Sequence, residues 1–271
     1  MIRIARHTAL VSATLAALLL VGCSSAPAPE SDQHSTEGEL TGTLNIAAAA
    51  SLQPAFEELT EAFTELHPGI TIDQLTFDGS SGIATQILAG APIDVFASAD
   101  EANMDKVADA KLTAATPLPF ATSSLQIAVA PGNPLGISGL MDLVDPKLGA
   151  PGPPVVVTCA PEVPCGAASW QLLDRDKVTL SPASEEQNVT AVLTKVAAGE
   201  ADAGLIYRSD VLRSDGAVEG VDIDGSDEAA GTYVIAPIAG TAALDAATAF
   251  TEFMRSERAQ SLFAQLGFGQ A

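Results

Sequence analysis

The chain has 271 residues, 47% of them hydrophobic, and a formal net charge of −22. That apolar share is enough to bury one large core or two lobes of ordinary domain size, which excludes a disordered chain. The acidic balance excludes nucleic acid as a partner, since affinity for phosphate backbones comes mainly from Lys and Arg; the acids are scattered without calcium-loop spacing and read as a solvating surface.

Residues 1–22 read as an export signal, with Arg3, Arg6 and His7 ahead of an apolar run from Ala9 to Val21. That run is too short and too near the start for a permanent membrane helix. Leu20-Val21-Gly22-Cys23 resembles the lipobox of bacterial lipoproteins, which implies cleavage before Cys23 and a lipid attached to it. Losing Arg3 and Arg6 and no acid would take the formal charge from −22 to −24. Residues 23–42, rich in Ser, Pro, Glu and Gly and without apolar periodicity, are expected to form a flexible tether.

From Thr43 onward short β-rich runs alternate with amphipathic patterns, which predicts an α/β fold with largely parallel sheets. The expected strands cover 43–49, 70–77, 93–98, 125–130, 154–159, 203–207 and 232–239. Leu52, Phe56, Leu59, Phe63 and Leu66 fall at spacings of three and four and predict a helix that His67-Pro68-Gly69 ends. Two segments echo each other, "ILAGAPIDVFASAD" at 87–100 and "VAAGEADAGLIYRSD" at 196–210, each running from a helix end through an acid into a strand. The echo implies two similar lobes, with bends near 120–125 and 229–234 and a C-terminal helix that returns to the first lobe. Cys159 and Cys165 stand close together in an exported chain, a compartment where disulfides persist, so they are expected to be bridged.

Strand-to-helix turns carry the candidate chemistry. Ser51 stands where an N-cap belongs, Gly79-Ser80-Ser81-Gly82 precedes the apolar pattern of Ile83, Ile87 and Leu88, and two more helices start around Gly166 and Asn188. Each turn could hold a nucleophile, cradle an anion or merely cap its helix. A serine nucleophile lacks support: G-x-S-x-G is absent, and His67, the one histidine outside the signal and tether, sits in a helix-ending turn. Walker A and dinucleotide fingerprints are missing, and the histidines are too few for zinc. Several helix starts converging at strand ends hold an anion through free N–H groups, each start carrying about +0.5 of effective charge.

Taken together, A-A-A-S-L at 48–52, S-S-G-x-A-x-Q-I at 80–87, G-A-P-x-D-V-F-A-S-A-D at 90–100 and G-x-x-Y-x-S-D at 204–210 resemble the periplasmic molybdate-binding proteins of ABC transporters, the ModA family. The resemblance covers the chain from about residue 43 to its end. It implies a type II periplasmic-binding fold, with 43–121 plus 235–271 as one lobe, 122–234 as the other, and crossover strands as the hinge. It also implies an anion held by Ser51 and Ser80 through hydroxyl and backbone N–H, by Cys165 and Val189 through backbone N–H, and by the Tyr207 hydroxyl. Asp78, beside the Ser80 turn, is then expected to point away from the ligand. The implied function is a monomeric, lipid-anchored receptor at the outer face of the membrane. It would capture molybdate, and tungstate as well, for an ABC permease, with no catalysis, no cofactor and no metal site apart from the oxyanion. A receptor for sulfate or another tetrahedral oxyanion, a secreted hydrolase using Ser80 and an adhesion module without a small ligand are the competing readings.

Overall fold

The computed structural model describes residues 40–146 and 152–271; the signal segment, Cys23 and the tether up to residue 39 lie outside the described residues. In chain order the first part runs β1 (Gly42–Ala49), α1 (Gln53–Leu66), β2 (Ile70–Asp78), α2 (Ser80–Leu88), β3 (Val95–Ser98), α3 (Glu101–Asp109) and β4 (Leu118–Thr122). A second set follows: β5 (Leu125–Val129), β6 (Val156–Cys159), α4 (Pro164–Arg175), β7 (Ser184–Glu186), α5 (Val189–Ala197), β8 (Ala203–Tyr207), α6 (Arg208–Arg213), β9 (Glu219–Asp222) and α7 (Ser226–Ala229). The chain then closes with β10 (Thr232–Pro237), α8 (Leu244–Phe253) and α9 (Glu257–Gln265).

Two five-stranded sheets result, ordered β2-β1-β3-β10-β4 and β7-β6-β8-β5-β9. In each, one strand opposes the other four: β10 is antiparallel to β3 and β4, and β5 is antiparallel to β8 and β9. These are the first strands after each passage between lobes. The parallel strands run toward the cleft, so a chain arriving from the other lobe enters at that end and must run away from it. The echo segments end on β3 and β8, which hold the same third place in the two sheets.

Side-chain alternation along the strands splits the first lobe's core between the two faces of its sheet. Leu44, Ile46 and Ala48 of β1 pack with α1, α8 and α9, whereas Ala47 faces Ile83, Ile87, Met104 and Val107 of α2 and α3. Phe250 of α8 lies 5.9 Å from Phe56 and 5.1 Å from Phe63, ring centroid to centroid, both near edge-on. This aromatic stack brings the C-terminal segment back onto the first lobe. The expected single C-terminal helix is two helices, because Ser256 restarts the chain by accepting the Ala259 N–H at 3.2 Å.

Three strands are absent from the sequence reading, namely β4, β7 and β9. All three are sheet edges, short and partly exposed, so they lack the continuous apolar run that marks an interior strand. Leu66 departs from expectation as well: it is 57% exposed, since the helix ends there and its last turn rises off the core.

Replacing Phe250 by Ala should lower the unfolding free energy by about 3–5 kcal/mol, the usual cost of a buried Phe truncation. Urea denaturation followed by circular dichroism checks it; a change below about 1 kcal/mol would show that the stack is dispensable.

Candidate functional site

Six strands, β1, β2 and β3 of one sheet and β6, β7 and β8 of the other, end at the cleft, and residues at or just after their ends meet around one cavity. Its wall includes Ala50, Ser51, Asp78, Gly79, Ser80, Ala99, Val163, Cys165, Val189 and Tyr207. The space between these residues that no atom fills is about 200 Å³, its open mouth included, which is small beside the roughly 300–1,000 Å³ of pockets for drug-sized ligands.

The structure brings Ser51, Ser80, Cys165, Val189 and Tyr207 to this wall together, although they are spread over more than half the chain. Ser51 and Ser80 are not the caps their positions suggest. Ser51 lies inside a 3-10 turn, Ala50–Leu52, ahead of α1 and makes no capping bond. Its hydroxyl pairs instead with the Tyr233 hydroxyl at 2.9 Å. Ser80 is the first residue of α2, whose cap position is Gly79. Its oxygen accepts the Ala99 N–H at 3.0 Å, which leaves its own proton to donate into the cavity.

Cys165 is the second residue of α4, after Pro164, which has no N–H. Val189 is the first residue of α5, capped by Asn188, whose Oδ1 accepts the Ala191 N–H at 3.0 Å. N–H groups in such first turns have no partner inside their helix. Cys159 and Cys165 are joined by a disulfide that ties the end of β6 to the start of α4. The loop so closed presses onto α4: a Cβ on Gly166 would stand 1.9 Å from the Ala160 carbonyl oxygen, so only glycine fits there.

Tyr207 ends β8 and is 1% exposed; its hydroxyl makes no hydrogen bond of ordinary geometry among the described residues, although it lies near enough to Tyr233 to interact with that phenol. A buried unpaired hydroxyl costs about 1–3 kcal/mol, so its place on the cavity wall marks it as a donor awaiting a ligand. Burial, and after it Tyr233, Asp100 and Asp210, push its pKa well above the ordinary phenol value. Asp210 shows the same effect on a carboxylate: burial raises its pKa even though Arg213 and the Tyr207 N–H bind it. Those contacts hold the β8–α6 junction from behind.

Among the described residues no Lys or Arg lines the cavity, and Asp78 is the one charged residue on its wall. Its Oδ1 is occupied by two donors, the Gly79 N–H at 2.8 Å and the Asn188 side-chain amide at 3.0 Å, which offset its charge locally. Sequence reasoning also missed Tyr233, which braces Ser51. Only its rarity, as one of two tyrosines in the chain, could have drawn notice to it. Its pKa is raised chiefly by burial, against the lowering effect of the Ser51 bond.

Comparison with known proteins follows this geometry. A family model described as bacterial extracellular solute-binding protein matches residues 44–269. The chain is 40% identical over 263 residues to the molybdate-binding protein ModA of Mycobacterium tuberculosis (strain ATCC 25618 / H37Rv), covering 97% of each. It is 30% identical over 273 residues to the putative ABC transporter substrate-binding lipoprotein YvgL of Bacillus subtilis (strain 168), covering 97% of this chain and 98% of that one. Among solved structures, the Azotobacter vinelandii periplasmic molybdate-binding protein superposes with a TM-score of 0.70 at 20% identity, over 84% of this chain and 99% of that one.

Both tyrosines of the chain are buried, so phenolate absorbance reads the site alone. In the native protein no phenolate should appear near pH 10, whereas the urea-unfolded chain should titrate at about 10. Because the folded-state pKa values are raised, the stability that the neutral phenols contribute is complete below about pH 10 and lost as pH rises toward the folded values. Phenolate absorbance at the ordinary value in folded protein would refute this.

Proposed function

The chain belongs to the bacterial extracellular solute-binding proteins, and on that premise we propose that its cleft captures molybdate, and tungstate with it, for delivery to an ABC permease. It is a carrier and not an enzyme, with molybdate as cargo rather than cofactor. The observation that carries the reading is Tyr207: a fully buried hydroxyl without a hydrogen bond of ordinary geometry among the described residues, on a cavity wall otherwise made of helix starts and serine hydroxyls. In this reading Ser51 and Ser80 give hydroxyl and backbone N–H, Cys165 and Val189 give backbone N–H, and Tyr207 gives its hydroxyl. Such a set suits a fully deprotonated dianion, whose oxygens only accept, because every group in it is a donor. Hydrogen phosphate brings an O–H that needs an acceptor, which a set made of donors alone does not supply. Molybdate, tungstate and sulfate share the required charge, so discrimination among them falls to cavity size.

Capture without a lysine or arginine follows from the helix starts, whose partial charges act undiminished inside a dry cavity. The overall negative charge opposes an approaching anion only weakly, since salt screens it beyond about 8 Å. The lobes in this reading comprise 43–121 with 235–271, and 122–234, hinged where the chain passes between the sheets. The protein works outside the cytoplasmic membrane. Attachment there through a lipid on Cys23 is supported by the Leu20-Val21-Gly22-Cys23 motif and by likeness to a relative named as a lipoprotein. The donor set is complete within one chain, which supports action as a monomer.

Thermal-shift titration tests the ligand. Molybdate at about 100 times its dissociation constant should add about 2.7 kcal/mol of stability. A rise with sulfate and none with molybdate or tungstate would refute the reading. In the same assay Ser80→Ala should weaken binding by about 1.5–3 kcal/mol, and the unliganded protein should melt somewhat lower because the buried Ala99 N–H loses its acceptor. For the anchor, mass spectrometry of membrane-extracted protein should find a chain beginning at a diacylated Cys23; an unmodified soluble form would remove it.

A further inference from the structure

We propose that Asp78, Gly79 and Asn188 form a latch between the lobes, in which one carboxylate oxygen aligns two of the helix starts that face the cavity. The proposal rests on the cavity being an anion site. Asp78 ends β2 of the first sheet, and Asn188 follows β7 of the second. Asp78 Oδ1 accepts the N–H of Gly79, which is the cap residue of α2, and the side-chain N–H of Asn188, which is the cap residue of α5. The residues next in sequence, Ser80 and Val189, both line the cavity. Asn188 is committed twice, since its Oδ1 caps α5 through Ala191 while its Nδ2 reaches Asp78. Whatever orients Asn188 therefore orients the Val189 N–H. Asp78, Asn188 and Gly79 are positioning residues, acting through the helix starts they align.

Gly79 supplies the second half of the argument. Its φ of −62° and ψ of 134° suit any amino acid, so its own backbone does not call for glycine. A Cβ there would nevertheless stand 2.1 Å from the carbonyl oxygen of Gln187 and 3.5 Å from Val163 Cγ1, both on the opposite lobe. The demand for glycine comes entirely from the approach of the other lobe. An alanine fits the first lobe taken alone and obstructs the closed arrangement.

Small-angle scattering and molybdate binding kinetics on the full chain test the latch. Wild-type protein should contract on adding molybdate. Gly79→Ala should melt like wild type without ligand, fail to contract, and lose at least about tenfold in affinity. Asp78→Ala should lose about tenfold, the scale of one charge-assisted hydrogen bond, mainly through faster release. Asp78→Asn keeps an amide oxygen able to accept both N–H groups and should restore contraction and most of the affinity, a rescue that a purely electrostatic role for the carboxylate would not give. Gly79→Ala and Asp78→Ala proteins that contract and hold molybdate like wild type would overturn the latch. If wild type responds to sulfate and not to molybdate, the ligand assignment fails while the latch is read with sulfate in the same way. A wild-type chain that contracts with neither anion overturns the latch itself.

Discussion

A parallel strand that ends at a cleft must hand its chain to something, and in this molecule it hands it to the start of a helix whose first N–H groups have no partner within the helix. Those unpaired donors are the constraint around which the structure is arranged. Left facing a dry cavity without a ligand they are costly, and facing a small dianion they are satisfied together. The arrangement therefore needs no lysine or arginine in the wall, and none stands there among the described residues. A cation would give stronger attraction and poorer selectivity, because it would also bind singly charged and protonated anions. Neutral donors in fixed positions select for charge state and for shape.

Holding the donors in place requires bracing that is invisible from the cavity itself. Ser51 is oriented by Tyr233, Ser80 by the Ala99 N–H, and the β8–α6 junction by Asp210 with Arg213. The disulfide holds the start of α4 against β6, and Gly166 lets the closed loop sit directly on that helix. Each brace lies deep in one lobe, where burial excludes competing water. The same burial keeps both tyrosines protonated, so the Tyr207 hydroxyl is a donor at any pH at which the protein is folded and working.

The two lobes contribute unequal parts. The first presents hydroxyls on Ser51 and Ser80; the second presents Tyr207 and the starts of α4 and α5. Neither half encloses an anion alone, so affinity depends on how the halves meet. The strands that follow each passage between the lobes are the antiparallel ones, and only a few residues separate β4 from β5 and α7 from β10. Across the cleft Asp78 bonds Asn188, and Gly79 leaves room for the Gln187 carbonyl.

How much of this was legible follows from the range of the forces involved. Interior strands such as β1, β3 and β8 and the face of α1 could be read directly, because period and apolarity are local properties of the chain. The donor residues Ser51, Ser80, Cys165, Val189 and Tyr207 could be named as a set through family resemblance, which stands in for the tertiary information that a single turn lacks. Edge strands β4, β7 and β9 were not legible, since pairing on one side alone leaves little apolar signature. Nor was the true work of the two serines: local pattern makes each a helix cap, and only a partner far along the chain, Tyr233 for Ser51 and Ala99 for Ser80, takes the hydroxyl for another purpose. Asp78 carries the same lesson: its Oδ1 is taken by the Gly79 N–H and by Asn188 of the opposite lobe, a partner that no local pattern names. By itself, then, the sequence determined the alternation of elements, the acidic exterior and the chemistry on offer at each turn, because these depend on neighbours a few residues apart. Only the tertiary structure decided which turns meet, which protons remain free to donate and why residue 79 must be glycine, because those depend on atoms brought together across 19 to 182 residues of chain.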